Sequence, residues 1–252
     1  MKEDIGPVLE NWPYEPGEIT ARKIIGRDGR PHVQMRLDLG LLQMAMTGRP
    51  DGQRPFGAES LLEHHVGRLT EHKRRRGTDA GFSISPEECA QLRDESVQYY
   101  HRYLSLYHLE EFEQVVADTE RNLKCLDFMR GYAAEESDRF AFQQYRPYIV
   151  MMHTRARTAL ALKAEDFDQA LQEIQDGIAR IEAFLNDVGQ PELIEHSVEI
   201  ASLNRLAKEI RRRKPADPIE QLREELEAAV SAEDYERAAA LRDRLRSLEA
   251  NS

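Results

Sequence analysis

Two stretches set 55 residues apart, "LEEFEQVVADTERNLKCL" (109–126) and "AEDFDQALQEIQDGIARI" (164–181), carry one and the same apolar stripe. Phe112, Val115, Val116, Thr119, Leu123 and Leu126 hold the phases of Phe167, Ala170, Leu171, Ile174, Ile178 and Ile181. These offsets of 3, 4, 7, 11 and 14 put six side chains on one helix face, which must be covered in water. Each copy opens with two acidic residues, which suit the positive end of a helix dipole. An aromatic comes next, placed to plug the corner between two antiparallel helices. The stripe predicts a mainly α chain built of antiparallel helical hairpins.

Helical signals continue on both sides. Ser60–Lys73 reads as a short helix, and Pro86 opens another with Ser85 as its N-cap. Val97, Tyr100, Leu104 and Tyr107 lie on one face of the latter. Further helices are expected over about 110–130, 133–162 with a kink at Pro147, 167–188 and 191–213. Residues 18–47 differ. Asp28-Gly29 predicts a tight hairpin turn with both positions at positive φ. Val33, Met35, Leu37 and Leu39 then alternate with polar residues, as a half-buried strand requires. Such a hairpin is marginal alone and should lie on the helices or pair with another copy. "TGRPDGQRPFG" (47–57) is a loop by its Gly/Pro density. The expected domains are an arm with a β-hairpin (1–57), a helical body (58–214), and a linker with a helical hairpin (215–252).

The pattern Asp166-Phe167-Asp168-Gln169-Ala170, preceded by "RARTALALKA" (155–164), resembles the second and first helices of a tetratricopeptide repeat. The resemblance covers about 95–190. It departs from that family in its 55-residue offset, where 34 is usual, and in Val115, where a small residue is usual. It implies tetratricopeptide-like hairpins, with flanking helices helping to close the core.

After the linker "RRRKPADP" (211–218), Leu222, Leu226, Ala229 and Val230, with Ile219, fall on one side of a helix. Tyr235, Ala238, Leu241, Leu245 and Leu248 do so on a second, with Ala239 beside them. Ser231 or Asp234 can cap the second helix. The segment "LREELEAAVSAEDYERAAALRDRLRSLE" resembles the UVR motif of the excinuclease subunits UvrB and UvrC. The likeness rests on Leu222, Leu226, Ala229, Asp234-Tyr235-Glu236, Ala238-Ala239 and Leu241-Arg242-Asp243. It implies a helical hairpin for protein–protein contact, expected to engage a UVR-bearing partner such as an excinuclease subunit, or a second copy. Leu222, Leu226, Ala229, Tyr235, Ala238, Ala239, Leu241, Arg242, Asp243 and Leu245 are its expected contact residues. Ordering some 30 residues costs on the order of 1–2 kcal/mol each, and in a lone hairpin most of the stripe would stay half-exposed. A covering surface is expected: an identical hairpin, another protein, or the helical body.

Other chemistry is weakly signalled. No GxxxxGK[ST], GxGxxG or GxSxG is present, so no phosphate cradle or nucleophile elbow is expected. The chain reads as non-enzymatic, with no cofactor. Cys89 and Cys125 lie far apart without a CxxC, so neither disulfide nor zinc is expected. His64, His65 and His72 share a predicted helix and read as solvated residues, not metal ligands. With a net charge of -11, bulk attraction to nucleic acid is disfavoured. The runs Lys73–Arg76 and Arg211–Lys214 are the only plausible phosphate contacts, and they carry the alternative reading of a nucleic-acid-binding accessory factor. Tyr100, Tyr103 and Tyr107, with Arg146 and Arg155, read as core packing or as a peptide groove with arginine clamps for acids. No apolar run of 18 residues and no apolar leader is seen, so a cytoplasmic protein is expected.

Overall fold

A computed structural model describes residues 4–215 and 218–249. After a short N-terminal turn, α1 (Gly6–Leu9), come strands β1 (Ala21–Ile25), β2 (Pro31–Leu37) and β3 (Gly40–Ala45), paired antiparallel in that order. The helices are α2 (Leu61–Arg76), α3 (Pro86–His108), α4 (Phe112–Tyr132), α5 (Glu136–Ala141), α6 (Arg146–Lys163), α7 (Phe167–Asp187), α8 (Val198–Arg213), α9 (Pro218–Ser231) and α10 (Tyr235–Glu249). Backbone contacts divide the chain into two compact units, Met1–Ala207 and Lys208–Ser252.

The fold is mainly α with antiparallel helical hairpins, and local chemistry accounts for most boundaries. Ser60 caps α2 by accepting from Glu63 N–H, and Gly77 ends it at φ 74. Ser85 and Glu88 form a reciprocal capping box on α3, with Pro86 in the first turn where its missing N–H costs nothing. Pro147 likewise opens α6 and does not kink it. The helix expected over 133–162 is therefore two, α5 and α6, with a 3₁₀ turn between them. Ala133 and Ala134 are diverted by a bridge to Ile84: Ile84 N–H donates to Tyr132 O (2.8 Å) and Ala134 N–H to Ile84 O (2.9 Å). The helix expected from Pro191 also begins later, at Val198, where Ser197 Oγ accepts from Ile200 N–H.

The β-hairpin gains a third strand. Asp38-Leu39 is a two-residue loop between β2 and β3, so Leu39 is 90% exposed at a turn and does not continue the alternation. At the first turn only Gly29 takes positive φ (75), because the chain there runs through a longer loop closed by Gly26 N–H to Arg30 O. One face of the sheet rests on α3, with Val33 and Met44 buried. The N-terminal arm covers the other. Trp12 is buried there under the Arg22 guanidinium, 4.0 Å from the ring centroid, and its carbonyl accepts from Arg36 Nε.

Two features hold the helices. Glu95 on α3, fully buried, accepts from Leu61 N–H at 2.8 Å and so caps α2 across space. It is also paired with Arg49 (3.2 Å) and Arg121. Between α6 and α7, Gly177 lies on Thr154, and a Cβ there would come within 2.1 Å of Thr154 Oγ1.

Two substitutions test these supports. Glu95→Ala takes the carboxylate partner from the half-buried Arg121 and from two peptide N–H groups, and should cost about 3–5 kcal/mol in urea unfolding. Gly177→Ala should cost about 1–3 kcal/mol by overpacking, and Thr154→Ala alongside it, which removes the clashing Oγ1 and Cγ2, should recover part of that loss.

Candidate interaction surface

The C-terminal hairpin and the two hairpins of the body turn the same corner. Glu110, Glu165 and Glu233 occupy the left-handed region at φ 58, 57 and 58. The next residue in each donates back five positions: Glu111 N–H to Leu106 O, Asp166 to Ala161 O and Asp234 to Ala229 O, all at 2.9 Å. These are the 6→1 bonds that close a helix end, made here by Glu in place of the usual glycine. Asp166 and Asp234 then cap the next helix, accepting from Gln169 N–H (2.9 Å) and Arg237 N–H (3.1 Å).

The aromatic ring after the cap is where the three corners differ. Phe112 is buried, edge-on to Tyr107 and beneath Lys163 Nζ, 4.6 Å from the ring centroid. That ammonium also donates to the Glu110 carbonyl at 3.1 Å. Phe167 is half-buried. Tyr235, at the same place in the C-terminal hairpin, is 70% exposed.

The hairpin's seam corrects the expectation of an open stripe. Leu222, Ala229, Ala238 and Leu241 are buried in one cluster, with Leu226 and Leu245 packed on it. The heptad-like spacing lets α9 and α10 close on each other. These six side chains are spent on hairpin closure, whereas Tyr235, Val230, Ala239, Arg242 and Asp243 face solvent. Arg242 Nε donates to Asp243 Oδ1 at 3.0 Å. The side chains of the expected stripe positions Ile219 and Leu248, and linker residues 216–217, lie outside what the structure describes.

The expected groove residues separate. Tyr103 is 1% exposed and belongs to the core, which decides between its two readings in favour of core packing and against a groove surface. Tyr100 packs edge-on against it, 5.5 Å between centroids, with Tyr148 beside them. Arg155 donates to Tyr107 Oη at 3.2 Å and to Ser202 Oγ at 3.4 Å. Arg146 is elsewhere, bound to Asp127 (2.5 Å) and Gln143 and lying over Phe184. It does not join the tyrosines, because its guanidinium is already spent across α4 and α6.

Sequence reading missed the polar groups buried between α3 and α4. Arg102 holds Asp118 through two bonds of 2.8 and 2.6 Å and donates to Ala45 O at 2.9 Å. Burial pushes the Asp118 carboxyl upward against the pull of that guanidinium. The spacing of "RDESVQYYHR" (93–102) and of Asp118–Arg121 offers a weak signal: acids and arginines fall on otherwise apolar helix phases.

Three of the four cations in the basic run on α2 are paired, two of them with one carboxylate. Arg74 and Arg75 bind Glu71, at 2.7 and 2.5 Å, and Lys73 binds Asp79 at 3.1 Å. The arginines hold the Glu71 carboxyl down at about 2. Among the described residues no three His, Cys, Asp or Glu side chains converge as a metal site. Cys89 and Cys125 are free and buried in one apolar cluster, where burial pushes the Cys89 thiol up to about 11. No helix among the described residues is long and apolar enough to cross a membrane.

Against this geometry, the family model of the UvrB/uvrC motif (UVR) matches residues 216–251. Comparison with curated proteins and with solved structures returns no match. The C-terminal segment thus carries the UVR motif, and the motif's two helices are α9 and α10.

Burial also fixes a pH response. His65 is 2% exposed, which corrects its reading as a solvated residue: it packs toward Phe128 and accepts from Arg68 Nη1 at 2.9 Å. Burial lowers it to about 4. His101 and His153 are lowered by burial as well. The unfolded chain binds protons from about pH 6.5 downward while the native histidines do not, so stability falls as pH drops from 7 toward 4. The urea midpoint should be lower at pH 5 than at pH 7.5, and His65→Phe should flatten that slope.

Proposed function

We propose that the chain is a non-enzymatic, cytoplasmic adaptor. Its C-terminal hairpin docks on a UVR-bearing partner, with excision-repair machinery the best candidate, or on a second copy of itself. The observation that carries this reading is the exposed corner at Tyr235 within a segment matching the UVR motif. In the body the equivalent ring of Phe112 is covered, by Tyr107 and by the ammonium of Lys163 from the next helical hairpin. The same corner at Tyr235 is formed but its ring is uncovered, and burying an aromatic ring is a large apolar gain. The closed seam supports the reading too. It leaves the hairpin shaped before any partner arrives, which lowers the ordering cost of binding.

The nucleic-acid reading is less well supported. Glu71 and Asp79 occupy Lys73, Arg74 and Arg75. Phosphate would have to displace them, on a chain of net charge -11. Arg76 and the exposed Arg211–Arg213 at the end of α8 are its remaining support.

Affinity purification with mass spectrometry tests the adaptor reading. Partner capture by the full chain should be lost on deleting 215–252 and should fall at least about tenfold with Tyr235→Ala, with helicity unchanged in the latter. Recovery of the same proteins with the parent, the deletion and Tyr235→Ala would refute it. Capture that instead depends on Arg211–Arg213 and weakens steeply with salt would favour nucleic acid.

A further inference from the structure

The sheet has two edges, and they are unlike. β1 (ARKII) carries Arg22 and Lys23, the kind of charge with which natural edge strands discourage pairing. β3 (GLLQMA) carries none. Arg36 N–H on β2 donates to Thr20 O, so the even-numbered residues of β2 turn their backbone groups toward β1 and the odd-numbered ones toward β3. Met35 lies opposite Leu42 and Val33 opposite Met44. Leu41, Gln43 and Ala45 therefore point their N–H and C=O groups away from the sheet. Ala45 is sealed: its N–H donates to Pro50 O at 2.8 Å, and its carbonyl accepts from Arg102 Nη1 at 2.9 Å. Among the described residues, no group outside the sheet bonds the backbone of Leu41 or Gln43.

Beside this open edge runs a cleft of about 270 Å³ between β3 and α3. Leu42, Met44, Pro50 and Val97 supply its apolar wall, and Val97 is 44% exposed. Asp94 stands one turn before Val97 and Gln98 on the same face of α3. It is exposed, and no hydrogen bond or ion pair engages its carboxylate among the described residues.

We infer that the β3 edge and the α3 cleft form a docking site for an extended segment of another protein, added to the sheet as a fourth strand. Backbone groups of Leu41 and Gln43 bond the incoming strand, supplying affinity that is indifferent to its sequence. The cleft takes one aliphatic side chain, and Asp94 selects a lysine or arginine near it. Charge decides between this occupant and a second copy. A chain of net charge -11 repels itself and attracts a cationic segment. The surface shares no residue with the C-terminal hairpin and does not depend on the adaptor reading.

Selection of a random heptapeptide phage library on the full-length chain tests it, with fluorescence anisotropy on the best peptide as the second step. The expected peptides carry aliphatic or β-branched residues at alternate positions and a Lys or Arg near one end. Gln43→Pro removes an outward N–H that the sheet does not use, and Val97→Lys fills the cleft from α3. Each should weaken binding at least about tenfold, the loss expected for one or two hydrogen bonds or one buried side chain. Tyr235→Ala should leave it unchanged. The two blocking variants lie on different elements, so misfolding of one, seen in its melting, leaves the other decisive. Failure to enrich any such peptide, or binding indifferent to the blocking variants, would overturn the inference. So would a parent dimer in sedimentation that Gln43→Pro dissolves, which would give the edge to a second copy.

Discussion

A carboxylate with no access to water organises the body. Glu95 sits in the middle of α3 with its oxygens on two peptide N–H groups at the start of α2 and on the guanidinium groups of Arg49 and Arg121. An isolated buried carboxylate is so costly that it would take up a proton. Here the compensation is spread over a loop, a helix start and a neighbouring helix, so the charge is tolerable only when all three are in place. Two turns further on, Arg102 repeats the device with Asp118 and the end of β3, and Tyr99 lies between Arg102 and Arg121. Buried pairs add little net stability over well-packed apolar residues, but losing one partner is severe. Together they tie the start of α2, the end of β3, α3 and α4 to one another.

Much of this architecture is legible in the sequence where a local rule decides. Ser60, Ser85 and Pro86 fix helix starts through groups that their own neighbours need. The echo of Phe112 and Phe167 locates two hairpins, and the Leu-Arg-Asp run after Ala238-Ala239 locates the third. The misses have a different origin. β3 is hidden because "GLLQMAM" carries no alternation in polarity: its partner strand, not its pattern, makes it a strand. The break at 133–145 arises from a backbone bridge to Ile84, 49 residues before Ala133 in the chain. Arg146 reads as a clamp beside the tyrosines. Its choice of Asp127 depends on how α4 crosses α6, which no local spacing encodes.

The candidate surface is legible as a segment and unevenly by residue. The motif's apolar positions read as contact positions, whereas Leu222, Ala229, Ala238 and Leu241 close the hairpin on itself. A helix stripe in sequence cannot say whether it faces its own chain or another. The three copies of the corner share their backbone. Glu110, Glu165 and Glu233 share φ, the 6→1 bond and the acid after it, so the backbone problem is solved alike each time. A left-handed Glu costs more than a left-handed glycine, and retaining Glu in all three gives the turn a side chain that can act. At Glu110 it lies 3.5 Å from Lys163.

This comparison bears on why the C-terminal hairpin keeps an exposed tyrosine. Its core of four leucines and two alanines is small beside that of the body, where whole layers of helices share their burial. Short helices in water are marginal unless an apolar face is covered, and the alanines contribute little area to that cover. The residues divide accordingly: Leu222, Leu226, Leu241 and Leu245 shape the hairpin, and Tyr235 stays exposed at its corner.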